Sequence, residues 1–263
     1  MTAVSEVALR GLFQAACDLA QRHSRPVELR TICDDLGVQI RRTEGGAAKA
    51  LLVEREEIFE ILLPTGGSDH DGFTAWERFL IAHELGHVLL HRFRVQKPLG
   101  KSEYWKMEAI CDSFARRLLL PRDAISEILR VAGTSTSDRL RATLDLQRQW
   151  NIPWPVAAFE VAECDPTLHF FRITSLNGRL RVSVSTLPNK RQSGRLIDEK
   201  SPLAAFLRDL KKNASPVRIP TDTLHVLAGQ PGARDAAVLR ATQTEYRIAL
   251  AVVHRCDHRT FAT

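Results

Sequence analysis

Residues 78–93 read RFLIAHELGHVLLHRF. The stretch is apolar enough for a buried helix, yet it carries His83-Glu84-Leu85-Gly86-His87 at its centre. On an α-helix, residues four apart share a face. His83 and His87 therefore project together and can offer two imidazole nitrogens to one cation. Glu84 is turned away by one residue step, so it can reach a water beside that cation and act as general base. Leu80, Ile81, Leu85, Val88 and Leu89 wrap the same helix in apolar side chains. Burying three unpaired polar groups among them would be costly, and a bound metal removes that cost. Zn²⁺ suits neutral imidazoles, and a His-His-Glu set also admits Mn²⁺ or Fe²⁺. The competing reading is a chance match on an ordinary amphipathic helix.

A catalytic zinc usually takes three protein ligands and leaves one position to water. His91 lies two turns beyond His83, about 12 Å along a continuous helix. That is too far to share one ion, so His91 reads as a group behind the ligands or at the helix end. Glu108, on the next helical stretch WKMEAICDSFARRLLLP (residues 105–121), is the better third ligand. Asp112, one turn on, can accept the outer N–H of a liganding histidine and fix its tautomer. Cys111 is an alternative soft ligand or a buried thiol, and Glu108 itself has a solvated-carboxylate reading. Helix, loop and helix bringing His, His and Glu together is the gluzincin plan. An oxyanion needs a further donor; Tyr104, His91 and His70 are candidates by position.

Outward from this core, the N-terminal stretch MTAVSEVALRGLFQAACDLAQRHSR (residues 1–25) patterns as an amphipathic helix with Val7, Leu12, Ala15, Ala16 and Leu19 near one face. A short helix follows, with Leu29, Ile32, Cys33 and Leu36 in register and Gly37 as its stop. VQIRR, AKALLVE and EIFEILLP read as strands, the first two joined by a turn at Gly45-Gly46. KPLGKSEY (97–104) reads as a loop. Residues 122–133 form a short helix. Two more helices are expected over 134–163 with a turn at Asn151 to Pro153, a helix-turn-helix shape whose second helix is too apolar to read bases. Beyond, HFFRITS and RLRVSVST form a hairpin about Asn177-Gly178. SPLAAFLRDLKKN is a helix capped by Ser201 with Pro202 in its first turn. AAVLRAT and YRIALAVVHR are strands. The expected architecture is α+β: a mostly helical metallopeptidase domain with a small sheet (1–130), a helical linker (131–164) and a basic α+β sensor or substrate-docking domain (165–263).

Charge supports that division. From Asp165 onward 16 Lys or Arg face 8 Asp or Glu, an excess of +8, while residues 1–164 carry −2. This reads either as a solvated basic surface or as a contact patch for an acidic partner, with Arg179, Arg181, Lys211 and Lys212 in it. Direct nucleic-acid binding is the weaker reading. The five cysteines are scattered with no Cys-x-x-Cys pair, against a disulfide framework or zinc ribbon. No apolar run approaches a membrane span and the N-terminus lacks a signal-peptide pattern, so a cytoplasmic location is expected. Oligomeric state is not legible.

RFLIAHELGHVLLH followed by MEAICDSFARRLLLP resembles the ImmA/IrrE family of metallopeptidases, through Glu108, Cys111, Asp112, Phe114, Ala115, Leu118, Leu119 and Pro121. PVELRTICDDLGVQI is similar to the family's entry segment, so the resemblance spans roughly residues 5–130. Leu120 and Asp112 depart from the commoner Met and Asn. The resemblance implies a zincin-like fold, His83, His87 and Glu108 as metal ligands and Glu84 as catalytic. It implies a protein substrate, a helix-turn-helix repressor whose cleavage turns on stress, defence or mobile-element genes. In the IrrE branch a GAF-like domain follows the protease, and residues 165–263 hold that place with α+β texture and no motif. A metal-stabilised module that merely sequesters a repressor is the rival, which an intact Glu84 disfavours.

Overall fold

The computed structural model describes residues 6–23, 26–43, 50–55, 58–64, 72–95, 98, 100–177, 179–186, 194–210, 215–220, 233–242 and 245–252. The fold is mixed α+β, and the chain divides into two compact units, 1–124 with 147–156 and 125–146 with 157–263.

In the first unit, α1 (Glu6–Arg22) buries Leu12, Ala16, Leu19 and Ala20. Val7, expected on that face, is instead 78% exposed in the first turn of the helix. Helix α2 (Leu29–Asp35) stops at Leu36, and Gly37 takes a left-handed φ of 58°, which glycine adopts at no steric cost. Strands β1 (Val38–Thr43), β2 (Leu51–Arg55) and β3 (Ile58–Pro64) form a sheet in the order β1-β3-β2. Strand β1 runs parallel to β3, and β2 antiparallel to it, so β1 and β2 are not neighbours in the sheet. The reason is burial. β3 presents Phe59, Ile61 and Leu63 to the core, whereas β2 keeps Leu51, Glu54 and Arg55 exposed, so the apolar strand takes the centre. The turn at Gly45-Gly46 lies outside the described residues.

Helix α3 (Ala75–Arg92) begins with a capping box. The Thr74 hydroxyl accepts from the Glu77 amide and the Glu77 carboxylate accepts from the Thr74 amide. Arg42 of β1 donates to the same carboxylate, tying helix to sheet. Burial by itself would raise the Glu77 carboxyl; the bonds from Arg42 and Thr74 outweigh it and hold it low. Helix α4 (Lys101–Leu119) starts four residues earlier than the sequence suggests. Lys101 to Tyr104 join the helix behind Gly100, with Glu103 in the first turn favoured by the helix dipole. α4 packs on α3 and α1, and Arg117 lies 4.1 Å over the Phe13 ring.

Three helices follow: α5 (Arg122–Val131), α6 (Thr136–Gln149) and α7 (Trp154–Cys164). Asn151, at φ 46°, turns the chain between the last two. Within α7, Trp154, Val156, Ala157, Ala158, Glu160 and Val161 are buried and only Glu163 is exposed, so this helix has no face for reading bases.

The second unit holds a five-stranded antiparallel sheet of order β5-β4-β8-β7-β6, made of β4 (Leu168–Leu176), β5 (Arg179–Ser185), β6 (Val217–Arg218), β7 (Ala233–Arg240) and β8 (Glu245–Val252). The two-residue β6 is too short to show as a sequence pattern. Helix α8 (Pro202–Asp209) is capped by Ser201, whose hydroxyl accepts from the Ala204 amide. Leu203, Ala204 and Leu207 of α8 share a core with Phe171, Ile173, Leu180, Val182, Ala236, Val238, Tyr246 and Ile248. Those sheet residues are two apart along each strand, hence on one face. Arg179 and Arg181 are exposed on β5; Lys211, Lys212 and Cys256 lie outside the described residues. The four described cysteines form no disulfide with one another.

Asp235 of β7 anchors this unit internally. Its carboxylate accepts from the Thr136 hydroxyl at 2.6 Å, the Thr136 amide at 3.3 Å and Arg218 Nε at 2.8 Å. Burial would raise this carboxyl, but the donors outweigh it and hold it below the usual range. A depressed pKa stabilises the fold above the unfolded value of ~3.9 and loses that contribution as pH falls through the folded value. Asp235→Asn should therefore cost about 1–2 kcal/mol in urea unfolding at pH 7, with wild type and variant converging as the pH drops below ~4.

Candidate metal centre

The site is assembled by two helices. α3 supplies His83 and His87 from successive turns, and α4 supplies Glu108. His83 Nε2 lies 3.1 Å from His87 Nε2 and 3.4 Å from Glu108 Oε2, and His87 Nε2 lies 3.3 Å from Glu108 Oε1. Among the described residues these three form the cluster able to hold a metal ion. A tetrahedral ion with ~2.0–2.1 Å bonds spaces its donors about 3.3 Å apart; each histidine nitrogen lies at about that distance from one of the two Glu108 oxygens, and one donor atom from each residue can be chosen with all three within 4.8 Å of one another.

Asp112, one turn beyond Glu108, accepts a 2.8 Å bond from His83 Nδ1. That bond keeps the proton on Nδ1 and turns the Nε2 lone pair toward the cluster. Burial by itself would lower His83's proton affinity, but the Asp112 bond and charge outweigh it and the pKa rises. His87 moves the other way: burial, then the nearby His83 charge, lowers it and outweighs the Glu108 and Asp112 charges and the Glu108 hydrogen bond. Asp112→Ala should weaken metal binding by about 10- to 100-fold, read by chelator competition.

Glu84 is half-buried beside the cluster, and burial pushes its carboxyl up to about 7; His83 opposes and Glu108 adds to the rise. A divalent cation next to it would draw the value back down, leaving a base of modest strength at neutral pH. Tyr104 stands one turn before Glu108, and the Glu108 charge, followed by slight burial, raises its phenol, which stays protonated. His91 sits in the last turn of α3, with Nε2 3.6 Å from Glu54 of β2 and its ring edge-on to Phe59. It is thus placed at the helix end, facing the sheet. His70 lies outside the described residues. Cys111 is fully buried against Gly86, and burial first, then Glu108, Glu84 and Asp112, raises its thiol and keeps it protonated. It serves as packing.

Two features escaped the reading by residue type. Gly86 allows the close approach of α3 to α4: a Cβ there would meet Phe114 Cδ1 at 3.2 Å and Cys111 Cα and Cβ at 3.3 Å. The Thr74-x-x-Glu77 capping box was visible in the sequence as a pattern, but Arg42's part in it was not.

The donor set and the His-Glu-x-x-His helix form a candidate metal site of His, His and Glu. Residues 74–159, about a third of the chain, match the family model described as peptidase M78, IrrE N-terminal-like domain, which supports the ImmA/IrrE family. The match begins at the α3 cap and runs past residue 130 into α7. A solved structure described as a Mycobacterium tuberculosis transcriptional regulator is similar with a TM-score of 0.53 and 12% identity, over 92% of this chain and 76% of that one. At that identity the likeness concerns the fold. No curated protein matches the chain in sequence. Among the described residues, no helix is long and apolar enough to cross a membrane.

Proposed function

We propose that the chain is a zinc-dependent endopeptidase that cuts one specific intracellular protein, a helix-turn-helix repressor, and so releases stress-response, defence or mobile-element genes. Residues 1–130 would be the metallopeptidase domain, 131–164 a helical linker, and 165–263 a sensor or docking domain. The observation that carries the reading is the triad His83, His87, Glu108 with donor atoms 3.1–3.4 Å apart, beside a half-buried Glu84. A metal that only stabilised a binding module would have no use for that carboxylate.

His83, His87 and Glu108 would hold the cation, which when bound supplies Lewis acidity to the scissile carbonyl and lowers the pKa of the attacking water toward ~7. Glu84 would take the water's proton and then hand it to the departing amine. Asp112 would keep His83 in the tautomer that binds. Tyr104, one turn before Glu108 on α4, would be a candidate donor to the developing oxyanion. Wide specificity inside a cell would be toxic, so recognition away from the cleft is expected, and the basic excess after Asp165 suits an acidic partner.

The test is incubation of the zinc-loaded full chain with helix-turn-helix proteins from the same genome, read by intact-mass spectrometry. Cutting at a single bond, abolished by chelation and restored by zinc, is the expected result. Tight repressor binding with no cutting at any metal loading would replace the protease by a sequestering module.

A further inference from the structure

Four rings run in line along α3. Trp76 stacks on Phe79 with centroids 5.4 Å apart at 28°, Phe79 lies 6.4 Å from His83, and His83 lies 4.9 Å from His87. Positions 76, 79, 83 and 87 fall on one helix face, opposite the face that buries Arg78, Ile81, Ala82 and Leu85. The row therefore begins at an exposed tryptophan and ends on the candidate ligands. Trp76 is 52% exposed, which is costly for the largest apolar side chain and unusual for a residue that is mostly buried. It has no part in the cap, since Thr74, Glu77 and Arg42 hold this end of the helix without it. The platform beneath Trp76 is thus rigid, and its neighbour Glu77 is already neutralised by Arg42.

The geometry points to Trp76 and Phe79 as an apolar subsite that takes a large aromatic or aliphatic side chain of the substrate. This rests on the peptidase reading given above. From His83, Phe79 is about 6 Å and Trp76 about 10 Å back along the helix axis. An extended peptide advances ~3.3 Å per residue, so the side chain received is two to three residues from the scissile bond. A rigid, half-exposed indole stacked on a second ring is the kind of surface that anchors binding.

The probe is a set of fluorescein-labelled alanine octapeptides that differ only in one central residue, Phe, Leu, Ser or Asp. Binding is read by anisotropy on the zinc-loaded full chain carrying Glu84→Gln, so that no peptide is consumed, with metal content measured in parallel. The Phe and Leu peptides should bind at least tenfold more tightly than the Ser and Asp peptides. Adding Trp76→Ala should erase the difference, Trp76→Phe should keep most of it, and zinc content should stay unchanged in both. Equal affinity across the four peptides, or a preference that survives Trp76→Ala, overturns the subsite. Loss of zinc from the parent chain with the Phe preference intact would instead sink the peptidase reading and leave the subsite standing.

Discussion

Glu84→Gln is expected to leave the fold and the metal content of the protein intact while slowing peptide hydrolysis by about 10²- to 10⁴-fold, the range that a positioned acid–base group contributes. Glutamine keeps the size and hydrogen-bonding shape of the side chain but cannot take a proton from water. The substitution should not disturb ligation, because His83, His87 and Glu108 supply the donor atoms and Asp112 orients His83 without help from position 84. Stability should rise slightly if it changes at all. Burial raises the Glu84 carboxyl to about 7, so its ionised form is disfavoured in the metal-free fold, and a neutral amide avoids that cost. The measurement pairs metal analysis with a single-turnover cleavage assay. Full metal with unchanged hydrolysis would remove Glu84 from the chemistry and move the base elsewhere.

Gly86→Val should do comparable damage without touching a donor atom. A Cβ at Gly86 would meet the Cys111 Cα at 3.3 Å, and backbone cannot swing aside as a side-chain tip can. Alanine adds one carbon: it gains about 1 kcal/mol of helix propensity against an overpacking cost of about 1–3 kcal/mol, so a small net loss is expected. Valine adds two more carbons at the same contact and should cost upwards of ~3 kcal/mol. The relief available is for α4 to move away from α3. Cys111 is three residues from Glu108 on α4, so that movement carries the carboxylate away from the histidines. Thermal unfolding should show the graded loss from Gly86→Ala to Gly86→Val, and chelator competition should show metal affinity down more than tenfold for the valine variant only. Wild-type metal affinity in a destabilised Gly86→Val protein would mean that the helix contact does not set the ligand spacing.

Local chemistry made much of this protein readable before any coordinates. The 3.6-residue period placed His83 and His87 on one face, Pro121 ended α4, Asn177 took a left-handed φ at the end of β4, and Ser201-Pro202 opened α8. Each of these depends on residues within a turn or two of one another, so the amino-acid sequence by itself determined them. Asp112 behind His83 was also legible, because Glu108 and Asp112 are one turn apart and must share a face.

What only the tertiary structure decided depends on residues far apart in the chain. The order β1-β3-β2 followed from competition for the buried centre of the sheet, won by the more apolar β3, which adjacency in the sequence does not encode. His91 had two places open to it by spacing, behind the ligands or at the helix end, and packing against Phe59 and Glu54 put it at the helix end, facing the sheet. The distance between α3 and α4, on which the His-His-Glu donor spacing depends, is set where Gly86 meets Cys111, a contact between elements that no local pattern encodes. Residue types and periodicity determined which groups could bind a metal; the close packing of two helices determined that their donor atoms lie 3.1–3.4 Å apart.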